Sequence, residues 1–383
     1  MLKRIGEIPG LCDRPSPFAI VTGASAGAIN GAMIAAGSCA FGEATRGLAG
    51  IWHRLEMGRV IRTDPLSLGR GAAGLVRDLV LGRLLGDTIS RGFLDASPLH
   101  AMLEEVLPLA GVNDAIRAGH LYALAITATS YHSGRSFTFV QGRPGHPVWQ
   151  KSRRVVLPTT IEVDHVSASA AIPLVFPPVR IRSMAGDLWF GDGALRLVTP
   201  LSPAIRLGAS RLLAIGVRSR RAADTLSREE LSAAEQAGGT IASPPLAQIC
   251  GVFLNAIFLD HLDADLDHLL RMNELILAYG RGGGFAAPIH EPMRLVTPLV
   301  LSPSEDLALV ARRFAHRMPV MLRWVMEGLG TPDAQSADLM SYLLFDGAYT
   351  RALVDIGYRD AHARIDEIEA FVRDVPRQAR EAG

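Results

Sequence analysis

The first group in this chain with chemistry to offer is a serine between two glycines. Gly23-Ala24-Ser25-Ala26-Gly27 is a G-x-S-x-G string, the pattern of a nucleophile elbow, in which a sharp strand-to-helix turn presents a serine hydroxyl. The flanks supply the context that such a turn requires. Phe18 to Thr22 is short, apolar and β-branched, and reads as a buried parallel strand. Ala28 to Ala36 is alanine-rich with Ile29, Met33 and Ile34, and reads as a helix packed closely on a sheet. Gly23 and Gly27 would remove side chains where strand and helix converge. The helix start, with Ala26 first, would turn free N–H groups and a partial positive charge toward a developing oxyanion. Read without chemistry, the same string is a glycine-rich turn whose serine caps the helix.

A serine hydroxyl needs a base to become a nucleophile. Eleven histidines are present, none in a convincing motif. His165 heads a helix-type run, and His261 and His268 lie seven apart on the polar face of another. Aspartate offers the better partner. The β-type run Leu188 to Phe190 ends in Gly191-Asp192-Gly193, which is a plain tight turn on the simplest reading. Before it lies an unusual stretch, Ser167 to Ile181, in which small residues run into a proline stop and then an apolar, proline-stiffened loop.

Three pieces together resemble the patatin-like phospholipases. They are Gly23-Ala24-Ser25-Ala26-Gly27, Ala168-Ser169-Ala170-Ala171-Ile172-Pro173 with Phe176-Pro177-Pro178, and Asp192-Gly193-Ala194. Their order and the wide gap between Ser25 and Asp192 also look like that family, over roughly residues 1–220. The resemblance implies a Ser–Asp dyad without histidine, acting on phospholipid or related acyl esters. Ser25 would attack the carbonyl and Asp192 would take its proton, with Gly23, Ala26 and Gly27 forming the elbow and Gly191 and Gly193 flanking the aspartate. An ordinary carboxylate is a weak base for a hydroxyl. Asp192 must therefore be desolvated and held within reach, and Leu188, Trp189, Phe190 and Val175 to Pro178 suit that task. Neither metal nor cofactor is expected.

One family feature has no counterpart upstream of Ser25. Members carry a glycine-rich oxyanion loop after a first strand, whereas Met1 to Gly6 resembles only the second half of the helix that follows that loop. Two expectations arise: a longer natural chain that carries the loop, or an impaired protein acting in membrane binding or interaction. The elbow alone also leaves open a triad with one of the histidines, as in α/β-hydrolases. Gly280-Arg281-Gly282-Gly283-Gly284 is a poor substitute, because no helix starts after it.

The elements that must position these groups alternate between strand and helix. Leu121 to Gln141 reads as two strands about a turn at Ser133-Gly134, and Arg211 to Val217 as another. The expected fold is a three-layer α/β/α sandwich over residues 1–220, a linker over 221–245, and a mainly helical C-terminal region over 246–383 packed on the core. Within that region Leu246 to Ala278 reads as one long helical pattern, Met293 to Leu301 as a strand, Ser304 as an N-cap, and Asp346-Gly347-Ala348 as a helix break. The segment from Arg59 to Phe93 holds six arginines against three aspartates, which suits a cap touching anionic lipid or an ordinary surface helix pair.

Bulk properties narrow the class. The 383 residues are 49% hydrophobic and 20% charged, with net charge +1, a globular composition that gives no electrostatic case for nucleic acid. Cys12, Cys39 and Cys250 are scattered and odd in number, so neither a disulfide framework nor a zinc spacing emerges. With no signal-peptide pattern and no long apolar span, the expectation is a cytoplasmic protein, soluble or peripheral at a membrane.

Overall fold

The structure is a computed structural model, and it describes residues 1–62, 64, 94–151, 153–183, 186–219, 246–258, 261–280, 294–320, 322–323 and 337–373. Most of the arginine-rich 59–93 segment, the 221–245 stretch and Arg281 to Gly284 lie outside them.

In chain order the elements are α1 (Leu2–Gly6), β1 (Ile20–Gly23), α2 (Ala26–Ala36), α3 (Phe41–His53), α4 (Met57–Val60), α5 (Ser97–Val106) and α6 (Ala110–Arg117). Then come β2 (Ala123–Ser130), β3 (Ser136–Gly142), β4 (Gln150–Lys151), β5 (Arg154–Pro158), α7 (Val163–Ser169), β6 (Val179–Ser183) and β7 (Gly186–Gly191). A 3₁₀ turn at Gly193–Leu195 leads to α8 (Ser202–Leu207), β8 (Arg211–Ile215), α9 (Leu246–Phe258), α10 (His261–Gly280) and β9 (Thr297–Leu301). The chain closes with α11 (Leu307–Arg313), α12 (Ala337–Leu343), α13 (Gly347–Ala363) and α14 (Ile365–Arg373).

Strand β2 organises the sheet, and every one of its residues is buried. One edge pairs antiparallel with β3 along its length, and β5 and β4 continue outward. The other edge is shared. Its first half takes β1 in parallel, from Ile20 opposite Ala123 to Gly23 opposite Ile126. Its last two residues take β7 antiparallel, with Thr129 opposite Gly191 and Ser130 opposite Phe190. Strands β1 and β7 therefore run toward each other along one edge, and both chains leave the sheet opposite Thr127 and Ala128. Ser25 lies two residues past the end of β1 and Asp192 one residue past the end of β7.

Helices cover both faces. On one, Leu124, Ile126 and Ala128 of β2 share the main core with Ala28, Ile29 and Ala32 of α2 and Val166 of α7. On the other, Ala123 and Ala125 meet Leu207 of α8. The alternation is the two-residue period of a strand buried on both sides. Small residues let α2 lie close: a Cβ on Gly31 would stand 3.2 Å from Val21.

Strands β8 and β9 form a separate parallel pair. Ile20 of β1 packs with the cluster of Leu212 and Ala214, and Val21 with that of Leu213, Leu299 and Leu301. The two sheets thus bury the same two faces, yet no strand hydrogen-bonds between them among the described residues.

The C-terminal helices join the same core through Leu254, Val310, Leu339, Met340, Tyr349 and Ile356. The long pattern from Leu246 forms two helices, α9 and α10, rather than one. Asp306, not Ser304, caps α11, accepting from the N–H groups of Ala308 and Leu309. It stands directly before the first apolar residue, Leu307, where a cap serves the orphan donors best. The break at Asp346 is an N-cap, with the carboxylate accepting from Ala348 and Tyr349.

Candidate active site

The turn after β1 is strained at one residue. Ser25 stands at φ 54° and ψ −132°, a region that non-glycine residues avoid at a cost of about 1–3 kcal/mol. Its side chain makes no capping hydrogen bond to α2, so the reading of Ser25 as a helix cap is not the one realised. Gly23 explains how the turn closes: a Cβ there would fall 2.1 Å from the Gly27 carbonyl oxygen. Gly27 has a different role from the one its spacing suggests. A Cβ there would meet nothing within 4 Å, so the space beside the start of α2 is open. Ala26 is exposed, and its N–H makes no backbone hydrogen bond among the described residues.

Asp192 is fully buried. Its Oδ1 accepts from the N–H of Ala194 at 2.8 Å, while Oδ2 is buried with no hydrogen-bond partner. Burial pushes the carboxyl up to about 7, against which the Ser25 hydroxyl and the Ala194 N–H pull downward. The hydroxyl is thus the side chain that Asp192 senses most, although the pair does not form a hydrogen bond of ordinary geometry. An unpartnered buried carboxylate oxygen is costly and is poised to receive a proton.

The two residues are held by shared neighbours. The N–H of Ser25 donates to both the carbonyl and the hydroxyl oxygen of Ser169, each at 3.1 Å. The Ser169 hydroxyl donates in turn to the Thr127 carbonyl at 2.6 Å. Two residues on, the Ala171 carbonyl accepts from the N–H of Asp192 at 2.9 Å. The Asp192 carbonyl accepts from the Thr129 hydroxyl at 2.8 Å. The end of α7 and the end of β2 therefore clamp both turns. Gly193 permits the approach: a Cβ there would lie 2.0 Å from the Thr127 carbonyl oxygen and 3.1 Å from the Ala24 Cβ. Gly191 makes room for the ring of Tyr131, whose hydroxyl would stand 2.1 Å from a Cβ at that position. Burial, and then the Asp192 charge, raise the pKa of Tyr131.

Of the apolar residues expected around Asp192, Val175, Phe176, Leu188 and Phe190 belong to the main core and Trp189 does not. Phe190 and Phe176 are buried, with Leu188 and Val175 packed beside them, and Phe190 meets Phe137 and Phe139 edge-on. Thr127, Thr129 and Tyr131 were not singled out from sequence. Their signal is a run of hydroxyl groups at the end of a strand otherwise apolar and wholly buried. The histidines serve elsewhere. His165 Nδ1 accepts from the Glu162 N–H at 3.0 Å as part of a capping box, and His100 pairs with Asp164 at 2.8 Å. Among the described residues none hydrogen-bonds to Ser25 or Asp192, and no cluster of metal-ligating side chains occurs. No helix among them is long and apolar enough to cross a membrane.

A search of curated proteins finds no significant match. The family model described as patatin-like phospholipase matches residues 1–205, more than half of the chain. That span holds the elbow, the α7 clamp and the Asp192 turn, and the mixed sheet with flanking helices agrees with it. The chain belongs to the patatin-like phospholipase family.

Proposed function

We propose that this chain is a serine lipid acyl hydrolase whose working pair is Ser25 and Asp192. The observation that carries this reading is the unpartnered, fully buried Oδ2 of Asp192 beside a serine in a strained elbow. In the first half-reaction Asp192 accepts the Ser25 proton as Oγ attacks the ester carbonyl. The tetrahedral oxyanion forms where the free Ala26 N–H and the start of α2 supply positive potential. Collapse expels the alcohol, which takes the proton back from Asp192, and leaves the acyl group on Ser25. Water then repeats the sequence, with Asp192 again as base, and releases the fatty acid. The open space over Gly27 gives an acyl chain room to enter. The expected setting is cytoplasmic, with lipid met at a membrane surface.

A second reading rests on the outer edge of β1, to which no strand is hydrogen-bonded among the described residues. Among the described residues, the N–H groups of Gly27 and Ala28 at the start of α2 are already bonded to the Ala24 and Ser25 carbonyls, which leaves that of Ala26 as the free one. A missing donor costs about 10²–10³ in rate, so the chain on this reading binds lipid and turns over slowly or not at all.

Short-chain nitrophenyl esters and a fluorophosphonate probe separate the two. Turnover and labelling that vanish together in Ser25→Ala support the hydrolase. Absence of both from the unaltered chain refutes it. A single histidine whose replacement by alanine abolishes activity, with Asp192→Asn still active, would replace the dyad by a triad.

A further inference from the structure

Helix α9 lies beyond the residues that match the family, and it presents an unusual face. Its sequence, LAQICGVFLNAIF, holds no charged residue over its 13 positions. Leu254 and Gly251 are buried against the core, and Asn255 accepts from the Tyr342 hydroxyl of α12 at 3.0 Å. The opposite face carries Ile249, Val252, Phe253 and Ala256, all exposed, and the first three are 52%, 61% and 60% accessible. These positions follow the i, i+3, i+4, i+7 spacing of a single helical stripe, and a stripe of this kind facing water marks an interaction surface.

Where α9 sits suggests what covers it. The helix packs on the 3₁₀ turn at Gly193–Leu195, directly after Asp192. Two other exposed apolar side chains adjoin the same machinery. Val198 follows that turn and is 56% accessible. Leu174, three residues after the Ala171 carbonyl that holds Asp192, is 77% accessible at φ 66°. An aliphatic residue in the left-handed region is strained, and here the strained residue points an apolar group into water.

We propose that α9, with Leu174 and Val198, docks the active-site side of the molecule onto a net-neutral phospholipid surface. The claim rests on the lipid reading of the site. The α9 stripe holds no charge and so suits a zwitterionic surface, while the exposed Arg196 two residues before Val198 adds a cation beside it, which still differs from an arginine-rich contact. Burying the stripe in the interfacial region would bring the Ser25 pocket to the acyl chains.

Flotation of the full chain with phosphatidylcholine vesicles tests this, beside a Val252→Ser/Phe253→Ser double variant. Val148→Ser is the control, at a 60%-exposed apolar position in the loop before β4, beyond the far side of the sheet. The unaltered chain should partition onto the vesicles in a salt-insensitive way. The double variant should bind about tenfold more weakly or worse, and Val148→Ser should bind like the parent. The proposal is overturned by no binding, by equal binding of the double variant, or by an equal loss in the control. It is overturned too if size-exclusion chromatography shows a dimer that the double variant dissociates, because a second copy then covers the face. Cleavage of a soluble ester, measured alongside, keeps the two claims apart. Vesicle binding without cleavage supports the docking face and counts against the hydrolase alone.

Discussion

Replacing Asp192 by asparagine should stabilise the protein at neutral and alkaline pH while abolishing turnover. The carboxyl ordinarily titrates at 3.8 and is pushed to about 7 in the fold, mainly by burial. The native state therefore holds its proton over the window from about 3.8 to about 7, where the unfolded chain has lost it. Stability falls as pH rises through that window and levels off above it. A shift of about three units at roughly 1.4 kcal/mol each makes ionised Asp192 a burden of about 4 kcal/mol. Asparagine keeps the shape and avoids the charge, so the variant should gain a few kcal/mol at pH 8 and almost nothing near pH 4. The gain falls short of the full amount if its NH₂ finds only the Ser25 hydroxyl as acceptor. Urea unfolding of both proteins at the two pH values measures the difference. A stability gap that is the same at both, or a variant less stable at pH 8 than at pH 4 relative to the parent, would refute the picture of a desolvated base.

Other consequences are read in the same assays. With Asp192 ionising near 7, ester cleavage should fall about tenfold per pH unit below that point, and a profile flat from pH 5 to 8 would speak against this base. Ser25→Gly should remove activity yet raise stability by about 1 kcal/mol, because glycine tolerates φ 54° without strain; calorimetry showing a loss would contradict that. Gly193→Ala drives a Cβ to 2.0 Å from the Thr127 carbonyl oxygen, so it should destabilise by about 3 kcal/mol or lose fluorophosphonate labelling. Ser169→Ala removes the hydrogen bonds to Thr127 and Ser25. It should lower kcat by about tenfold with KM little changed.

Much of the candidate site is legible in the sequence because two of its parts are local. A strand, a glycine-bounded serine and an alanine-rich helix are adjacent in sequence, and strain at Ser25 follows from that adjacency. Gly23 behaves as its position suggests, since strand and helix meet there. Gly27 does not, because the side chain it lacks would point into open space, a direction that no linear pattern encodes. The alternation of apolar runs also conveys the layered fold. It does not convey the short strands β5 and β6: β5 has only Val155 to Leu157 between Arg154 and Pro158, Arg180 and Arg182 interrupt β6, and pairing with β3 and β7 supplies the order.

Asp192 is reached from sequence only with the help of the family resemblance, and its local sequence shows why. A carboxylate between two glycines after a strand is a common turn, and its own residues contain nothing that marks it as a base. Its burial comes from the shared edge of β2, where a parallel strand ends opposite Ile126 and an antiparallel strand ends opposite Thr129. That arrangement spans more than 160 residues of chain and turns a tight turn into a fully buried carboxyl. The clamp has the same origin. Ala171 holds Asp192 through its backbone carbonyl alone, a group every residue type possesses, whereas Ser169 holds Ser25 through its hydroxyl as well as its carbonyl, so only part of the clamp is written in side-chain identity. The small residues of Ser167 to Ala171 are the visible trace of that contact: larger side chains would keep the end of α7 from reaching both turns at once.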